Sequence, residues 1–435
     1  MQVKSKEATA IINSLVGGVV PKLGIQHITV GRKKEVNAMI KALEEVEDDH
    51  SIVKFWIGEF GSGKSFMLHL LNTIAIKKKF VVSNADFTPE KRLYSNDRKA
   101  VALYSTIIDN LSIQTKPEGG ALEILLEKWI ENVLMTTAEE ANLSFDELRE
   151  EKNVSLVENK IMKTTNDLTD VGGFNFGTVM MKYYKGFIDD DTQLKRNAIR
   201  WLKGEYTTKT EARQDLGVRE IINDLNCYDM LKNFSRFFKS IGYKGFMINL
   251  DEAINLYKIP NRQMREKNYE KILTIYNDCF QGNTKNLFFN FAGTEDFLEN
   301  ERRGLFSYNA LKTRLESNQF ETESVRDFSQ PVIKLRPLND SEIFVLLKKL
   351  KSIFDINYSV EIDFSDDNIK QYMEHKLNQQ GAAEFLTPRE VIRYFLNMLN
   401  ILRQNPSHDK EELLKSFTKK SGDEIDLSEI SIDEI

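Results

Sequence analysis

The sequence predicts an α/β protein: a core of strands and helices, split by a long helical insertion and followed by a helical C-terminal part. Three observations carry this. The apolar run Ile52-Val53-Lys54-Phe55-Trp56-Ile57 passes directly into Gly58-Glu59-Phe60-Gly61-Ser62-Gly63-Lys64-Ser65, which has the full spacing of a phosphate loop. A second apolar run, Gly245-Phe246-Met247-Ile248-Asn249-Leu250, ends in the paired carboxylates Asp251-Glu252. The stretch between these motifs is far longer than a simple nucleotide-binding core needs, and much of it has helical periodicity. The core is therefore expected to be that of a P-loop NTPase.

Each element follows from pattern. Residues 6–20 read as a short helix with Ala8, Ile11, Ile12, Leu15 and Val16 near one face, interrupted by Gly17-Gly18. An extended apolar piece over 24–32 precedes a helix over 33–46, striped by Val36, Met39, Ile40, Leu43 and Val46. A strand at 51–57 feeds the phosphate loop, a helix runs from Lys64 to about Lys78, and a second strand covers 80–85, ending at Asp86. A helix spans 99–112, and Lys116-Pro117-Glu118-Gly119-Gly120 is a turn. Residues 121–165 read as helical and acidic, and 178–203 as a further helical segment anchored by Tyr183, Phe187 and Trp201. Gly172-Gly173 and Gly177 mark a less regular connection between them, and 204–217 is polar and turn-like. A helix at 218–240 leads to the strand at 245–250. Beyond it come a helix from about Asn268 to Cys279, a buried strand over 286–294, a short helix from Leu311 to Leu315 and a last strand at 332–335. The remainder is helical: 342–350 behind Asn339-Asp340-Ser341-Glu342, then 366–377, then 388–402 with Thr387 and Glu390 in capping-box register. The expected domains are an N-terminal segment with the first part of the core (1–114), the insertion (115–215), the second part of the core (216–336), a C-terminal helical lid (337–406) and an acidic, partly ordered tail (407–435).

Composition narrows the class. A chain of 435 residues can hold two or three domains, and 41% apolar with 29% charged residues is an ordinary soluble make-up. A net charge of -6 does not advertise nucleic acid, although a local basic patch is compatible with it. Two cysteines, Cys227 and Cys279, are too few for a disulfide scaffold and read as buried thiols in a reducing cytosol. The five histidines are scattered, so no transition-metal site is expected. No window approaches the apolar length that spans a bilayer, and a cytoplasmic protein without a membrane partner is expected.

The motifs carry a definite chemistry. Gly58, Gly61 and Gly63 let successive backbone N–H groups turn inward around phosphate oxygens, and Glu59, Phe60, Ser62 and Phe66 complete the loop and the first helical turn. Lys64 can neutralise β/γ-phosphate charge, Ser65 can hold Mg²⁺, and the helix behind them adds its positive end. Asp251 is the second Mg²⁺ candidate and Glu252 the general base for the attacking water. Asn290 is slightly favoured as the polar residue that senses the γ-phosphate, with Thr294 as the alternative and loop capping as the plainer role. Arg302, Arg303 and Arg314 are candidates for a finger reaching a neighbouring subunit, which would require a homo-oligomer. Asp86 supports the metal or caps its strand, and nothing local decides between these.

Further blocks make a resemblance specific. Ala85-Asp86-Phe87-Thr88-Pro89-Glu90-Lys91-Arg92, Thr210-Glu211-Ala212-Arg213-Gln214-Asp215-Leu216-Gly217, Gly293-Thr294-Glu295-Asp296-Phe297-Leu298, Arg303-Gly304-Leu305-Phe306-Ser307-Tyr308 and Leu386-Thr387-Pro388-Arg389-Glu390 join the phosphate loop. With them the chain resembles the bacterial BREX-system ATP-binding proteins of the BrxD family, nearly end to end. That family is AAA+-like and related in layout to origin-recognition and replication-initiation ATPases. The resemblance implies ATP and Mg²⁺ as cofactors and ATP hydrolysis as the activity. It places Gly31-Arg32 where the base is contacted and makes Arg389 a second sensor in a helical lid, with a winged-helix-like end left open. It implies an anti-phage defence setting with a methyltransferase and an alkaline-phosphatase-like protein as partners, acting on or near double-stranded DNA. For DNA contact the basic positions are Lys195, Arg196 and Arg200, then Arg262, Arg265 and Lys267, each of which also reads as ordinary solvated helix charge. An ATP-driven switch or motor is the first reading. A nucleotide-dependent protein scaffold with little turnover is the alternative, favoured by the acidic insertion and opposed by intact Lys64, Asp251 and Glu252. A small-molecule kinase fits poorly with so much helical sequence outside the core.

Overall fold

The computed structural model describes residues 3–148, 150, 152–167, 173–322, 325–377, 387–407, 410 and 413–414. The strands are β1 (Ile52–Ile57), β2 (Val81–Asp86), β3 (Phe246–Asp251), β4 (Leu287–Gly293) and β5 (Val332–Lys334). In chain order the helices are α1 (Ser5–Val16), α2 (Lys33–Glu47), α3 (Lys64–Lys77), α4 (Lys99–Asp109), α5 (Leu122–Ala141), α6 (Phe145–Leu148), α7 (Val154–Asp167), α8 (Gly173–Ile188), α9 (Thr192–Leu202), α10 (Lys209–Leu216) and α11 (Cys227–Ser240). They continue as α12 (Ile254–Tyr257), α13 (Arg262–Phe280), α14 (Glu295–Glu299), α15 (Asn309–Leu315), α16 (Asp340–Tyr358), α17 (Asp366–Leu377) and α18 (Pro388–Gln404).

The strands form a single five-stranded sheet in the order β2-β3-β4-β1-β5, and every pairing is parallel. A parallel sheet covered on both faces needs apolar residues on both, and β1 and β4 are buried at every position. Because all strands run the same way, Gly58, Asp251 and Thr294, each at or just past a strand end, lie along one edge of the sheet. Open α/β sheets bind ligands at that edge.

The chain divides into two compact units. One comprises Lys34–Gly58 and Leu71–Leu335 and holds the sheet. Its helical insertion does not form a core of its own: Trp129, Phe176, Tyr183 and Trp201 belong to the same buried cluster as Phe55, Ile248 and Phe291 of the strands. Both thiols, Cys227 and Cys279, are buried here, as expected, and burial pushes each up to about 12.

The other unit comprises Met1–Lys33, Glu59–Leu70 and Arg336–Ile435. Its core is made by both ends of the sequence, with Ala8, Ile11 and Ile12 of α1 packed among Leu347, Leu350 and Phe354 of α16 and Phe395, Leu396 and Leu399 of α18. Asn339 with Glu342 and Thr387 with Glu390 form complete capping boxes at the starts of α16 and α18.

Several boundaries differ from expectation. The helix expected over 121–165 breaks at Asn142, which closes α5 in the left-handed region, and the segment 178–203 is two helices, α9 starting on an Asp191 cap. The turn-like stretch 204–217 contains α10, held between a Thr208 N-cap and a left-handed Gly217. Residues 218–226 are not helical, because the Asn223 side chain accepts from the N–H groups of Leu225 and Asn226 and makes a local turn instead. The piece over 24–32 contains a 3-10 turn, Ile25–Ile28, and α13 begins at Arg262 on an Asn261 cap. Leu386, Gly172 and the tail from 415 lie outside the described residues.

Candidate nucleotide site

The phosphate loop leaves β1 at Gly58, whose N–H donates to the Gly293 carbonyl at 3.2 Å. Gly61 and Gly63 have φ of +84° and +93°, a region closed to most side chains. Helix α3 starts at Lys64, and the Met67 N–H donates back to the Gly63 carbonyl at 2.8 Å. Such a helix start presents N–H donors and a positive dipole end to an anion. Lys64 Nζ donates to the Glu59 carbonyl at 2.8 Å and lies 5.5 Å from the centre of the exposed Phe60 ring. The Ser62 hydroxyl is buried with no hydrogen-bond partner among the described residues. Ser65 follows Lys64 in the first turn of α3, and Phe66 packs partly buried against the core of its unit. Backward-turned donors, a lysine and a buried hydroxyl in one loop fit a triphosphate.

Three neighbours of this loop come from its own unit. Arg32 is buried, and its Nη2 donates both to the Ser62 carbonyl at 2.9 Å and to the Arg336 carbonyl at 2.7 Å. Gly31, at φ +70°, lies so near the Glu342 carboxylate that any Cβ there would clash with it. Glu342 holds Arg336 through both oxygens, at 2.6 and 2.8 Å, and this bond is the main reason its carboxyl sits below the usual range. Gly61 faces Thr387, the cap of α18; a Cβ at Gly61 would stand 3.0 Å from the Thr387 Cβ. The loop is thus brought together with Arg32 and with the first turn of α18, which carries Arg389, exposed. Arg336, Glu342 and Thr387 are site neighbours that the motifs alone do not point to. In sequence, Glu342 and Thr387 are marked by the two capping boxes and Thr387 also by the block 386–390, while Arg336 has no signal of this kind.

The carboxylates belong to the sheet unit. Asp251 ends β3 in register with Asp86 at the end of β2. Burial, and then the charge of Asp251, raise the Asp86 carboxyl, with Lys91 opposing. Glu252 is exposed and has φ +56°, unusual for a residue with a Cβ, while its N–H donates to Asp251 Oδ1 at 2.7 Å. Among the described residues no group of three or more acidic, histidine or cysteine side chains could hold a metal. Mg²⁺ does not need one, since it is commonly held by one or two carboxylates, waters and substrate phosphates.

Asn290 is not at the strand edge. It lies three residues before the end of β4, fully buried, accepting from Trp56 Nε1 at 2.9 Å and donating to Asn249 Oδ1 at 2.8 Å. Asn249 passes the chain on to Asn72 and Asn84, at 2.5 and 3.0 Å. Thr294 stands at the edge and caps α14, accepting from the Phe297 N–H at 3.4 Å. Arg303 is held by the Ile259 carbonyl and the Tyr257 ring, and Arg314 by the Ala310 carbonyl, while Arg302 is exposed. Of the basic positions, Arg200 stacks on Tyr206 and pairs with Glu211, Arg265 is buried, and Arg262 and Lys267 pair with Glu266 and Glu270.

A family model described as BREX system ATP-binding protein BrxC/D matches residues 3–418. The chain belongs to the BrxC/D family. The match takes in the phosphate loop, the paired carboxylates and the C-terminal helices together, so the suspected kinship holds across both units. No match was found among curated proteins. No helix among the described residues is long and apolar enough to cross a membrane.

Proposed function

We propose that this BrxC/D chain binds ATP with Mg²⁺, hydrolyses it, and works as an AAA+-like switch in an anti-phage defence complex. One observation supports this most: β1 ends at Ile57, from which the chain passes through Gly58 into the phosphate loop, and β3 brings Asp251, with Glu252 just beyond it, to the same sheet edge with only β4 between. In this reading Lys64 and the N–H groups of the loop hold the phosphates, Ser65 and Asp251 hold Mg²⁺, and Gly31 lies toward the base. Bound Mg²⁺ would supply charge neutralisation on the phosphates. The Glu252 carboxylate orients the attacking water and takes its proton. Arg389 serves the site from the C-terminal helices as a lid, which the contact of Gly61 with Thr387 favours. Partners from the same system, a methyltransferase and an alkaline-phosphatase-like protein, and double-stranded DNA remain part of this proposal through family membership, and a homo-oligomer through the finger candidates such as exposed Arg302.

Turnover of ATP by the whole chain, with and without double-stranded DNA, tests it. Lys64→Ala is expected to abolish binding. Glu252→Gln is expected to keep binding and to lose turnover by roughly 10²- to 10⁴-fold, the ordinary worth of a general base. Binding by the wild-type chain without any turnover would replace the switch with a nucleotide-dependent scaffold.

A further inference from the structure

Arg32 is a buried cation, and its Nη2 is bonded to the protein's own backbone. Its Nη2 holds the carbonyl of Ser62, inside the phosphate loop, and the carbonyl of Arg336, where the chain leads toward α16. A buried guanidinium is costly unless it is bonded, so these contacts are structurally committed. The Ser62 carbonyl belongs to the same planar peptide as the Gly63 N–H, and in a trans peptide the two point in opposite directions. Holding the carbonyl therefore sets the direction of the Gly63 N–H. That amide precedes Lys64 in the loop, and Gly63 is at φ +93°, where a glycine is otherwise free to swing.

The second bond has its own support. Arg336 is gripped by Glu342 through both oxygens, Glu342 also closes the cap of α16, and Gly31 leaves room for that carboxylate directly before Arg32. We infer that Arg32 is a positioning residue: it fixes the Ser62–Gly63 peptide for phosphate binding and ties the loop's geometry to the first C-terminal helix, rather than reading the base. This rests on the ATP-binding reading above and gives that site a device for coupling loop and lid.

The test uses the full chain with Arg32→Met and the charge-keeping Arg32→Lys. Affinities for ATP, GTP and inorganic tripolyphosphate are measured side by side, together with hydrogen exchange of residues 59–65 and of α1 and α16. We expect Arg32→Met to weaken all three ligands by a common factor of roughly tenfold or more, the scale of a lost charge-assisted hydrogen bond. Exchange over 59–65 should rise while α1 and α16 stay protected, and Arg32→Lys should recover part of both effects. A loss confined to ATP with tripolyphosphate untouched would overturn the inference in favour of a base contact. Unchanged exchange over 59–65 in both variants would also overturn it. Should Arg32→Met not fold, Arg32→Lys decides by the same two readouts. Should the wild-type chain take none of the three ligands, the ATP reading fails, and the exchange comparison still judges Arg32.

Discussion

Asn290 has suitable chemistry for sensing a phosphate, yet its amide is already used. Trp56 donates to its oxygen, and its nitrogen donates to Asn249, in a sheet interior without accessible surface at Asn290. Asn290→Ala would strand the Trp56 N–H and the Asn249 oxygen, and leaving buried polar groups unpaired costs about 1–3 kcal/mol each. We expect a loss of roughly 2–4 kcal/mol in urea unfolding with ATP affinity little changed. A full-strength fold with lost turnover would instead return Asn290 to the sensor role. The phosphate loop was legible because its chemistry is local: glycines, a lysine and a serine at fixed spacing. Arg32 was legible only as a position near the base, because a bond from a guanidinium to a loop carbonyl leaves no mark in a pattern of residue types.

Among elements, starts marked by a complete capping box were readable, whereas the single side-chain caps of α9, α10 and α13 were not. Thr387 with Glu390 and Asn339 with Glu342 announce α18 and α16 in sequence. The start of α4, expected at residue 99 and found there, is held from a distance by Asp224, which accepts from the N–H groups of Arg98, Ala100 and Val101 at 2.8–3.0 Å, while Arg98 itself is left-handed. Helix α10 escaped because its buried residues are only Ala212 and Leu216, too few to show a helical stripe. Glu342 gives the cap of α16 a testable pH dependence. Arg336 first, then the Asn339 N–H, lower its carboxyl from 4.5, so its stabilising effect is complete above that value. The effect fades as pH falls through the lowered folded value. Glu342→Gln should therefore lower Tm at pH 7 by the equivalent of about 1 kcal/mol at most, a part-exposed pair being weak. The gap to wild type should close in acid, measured by scanning both proteins from pH 7 to 3.

At the scale of the whole molecule, two features organise the chain. The insertion between the motifs extends the core of the sheet unit, and the opposite ends of the sequence meet in the other. Helix α1 gives Ala8, Ile11 and Ile12, all three without exposed surface, to a core built mainly with α16, α17 and α18. Removing residues 3–16 should cost roughly 3–6 kcal/mol, from about 1.5–3 kcal/mol per large buried aliphatic side chain. The check is chemical denaturation of the truncated chain with hydrogen exchange read over α16 and α18. Unchanged protection there would mean that α1 is dispensable to this core.

By itself the sequence determined the α/β class, the five strands, the phosphate loop, the carboxylate pair and the kinship, since each is written in local spacing or in blocks along the chain. Only the tertiary structure decided that Asn290 is interior, that Arg32 grips the loop, and that α1 belongs with the last helices. These depend on contacts between residues far apart in sequence, where burial and available hydrogen-bond partners, rather than residue type, select what a side chain does.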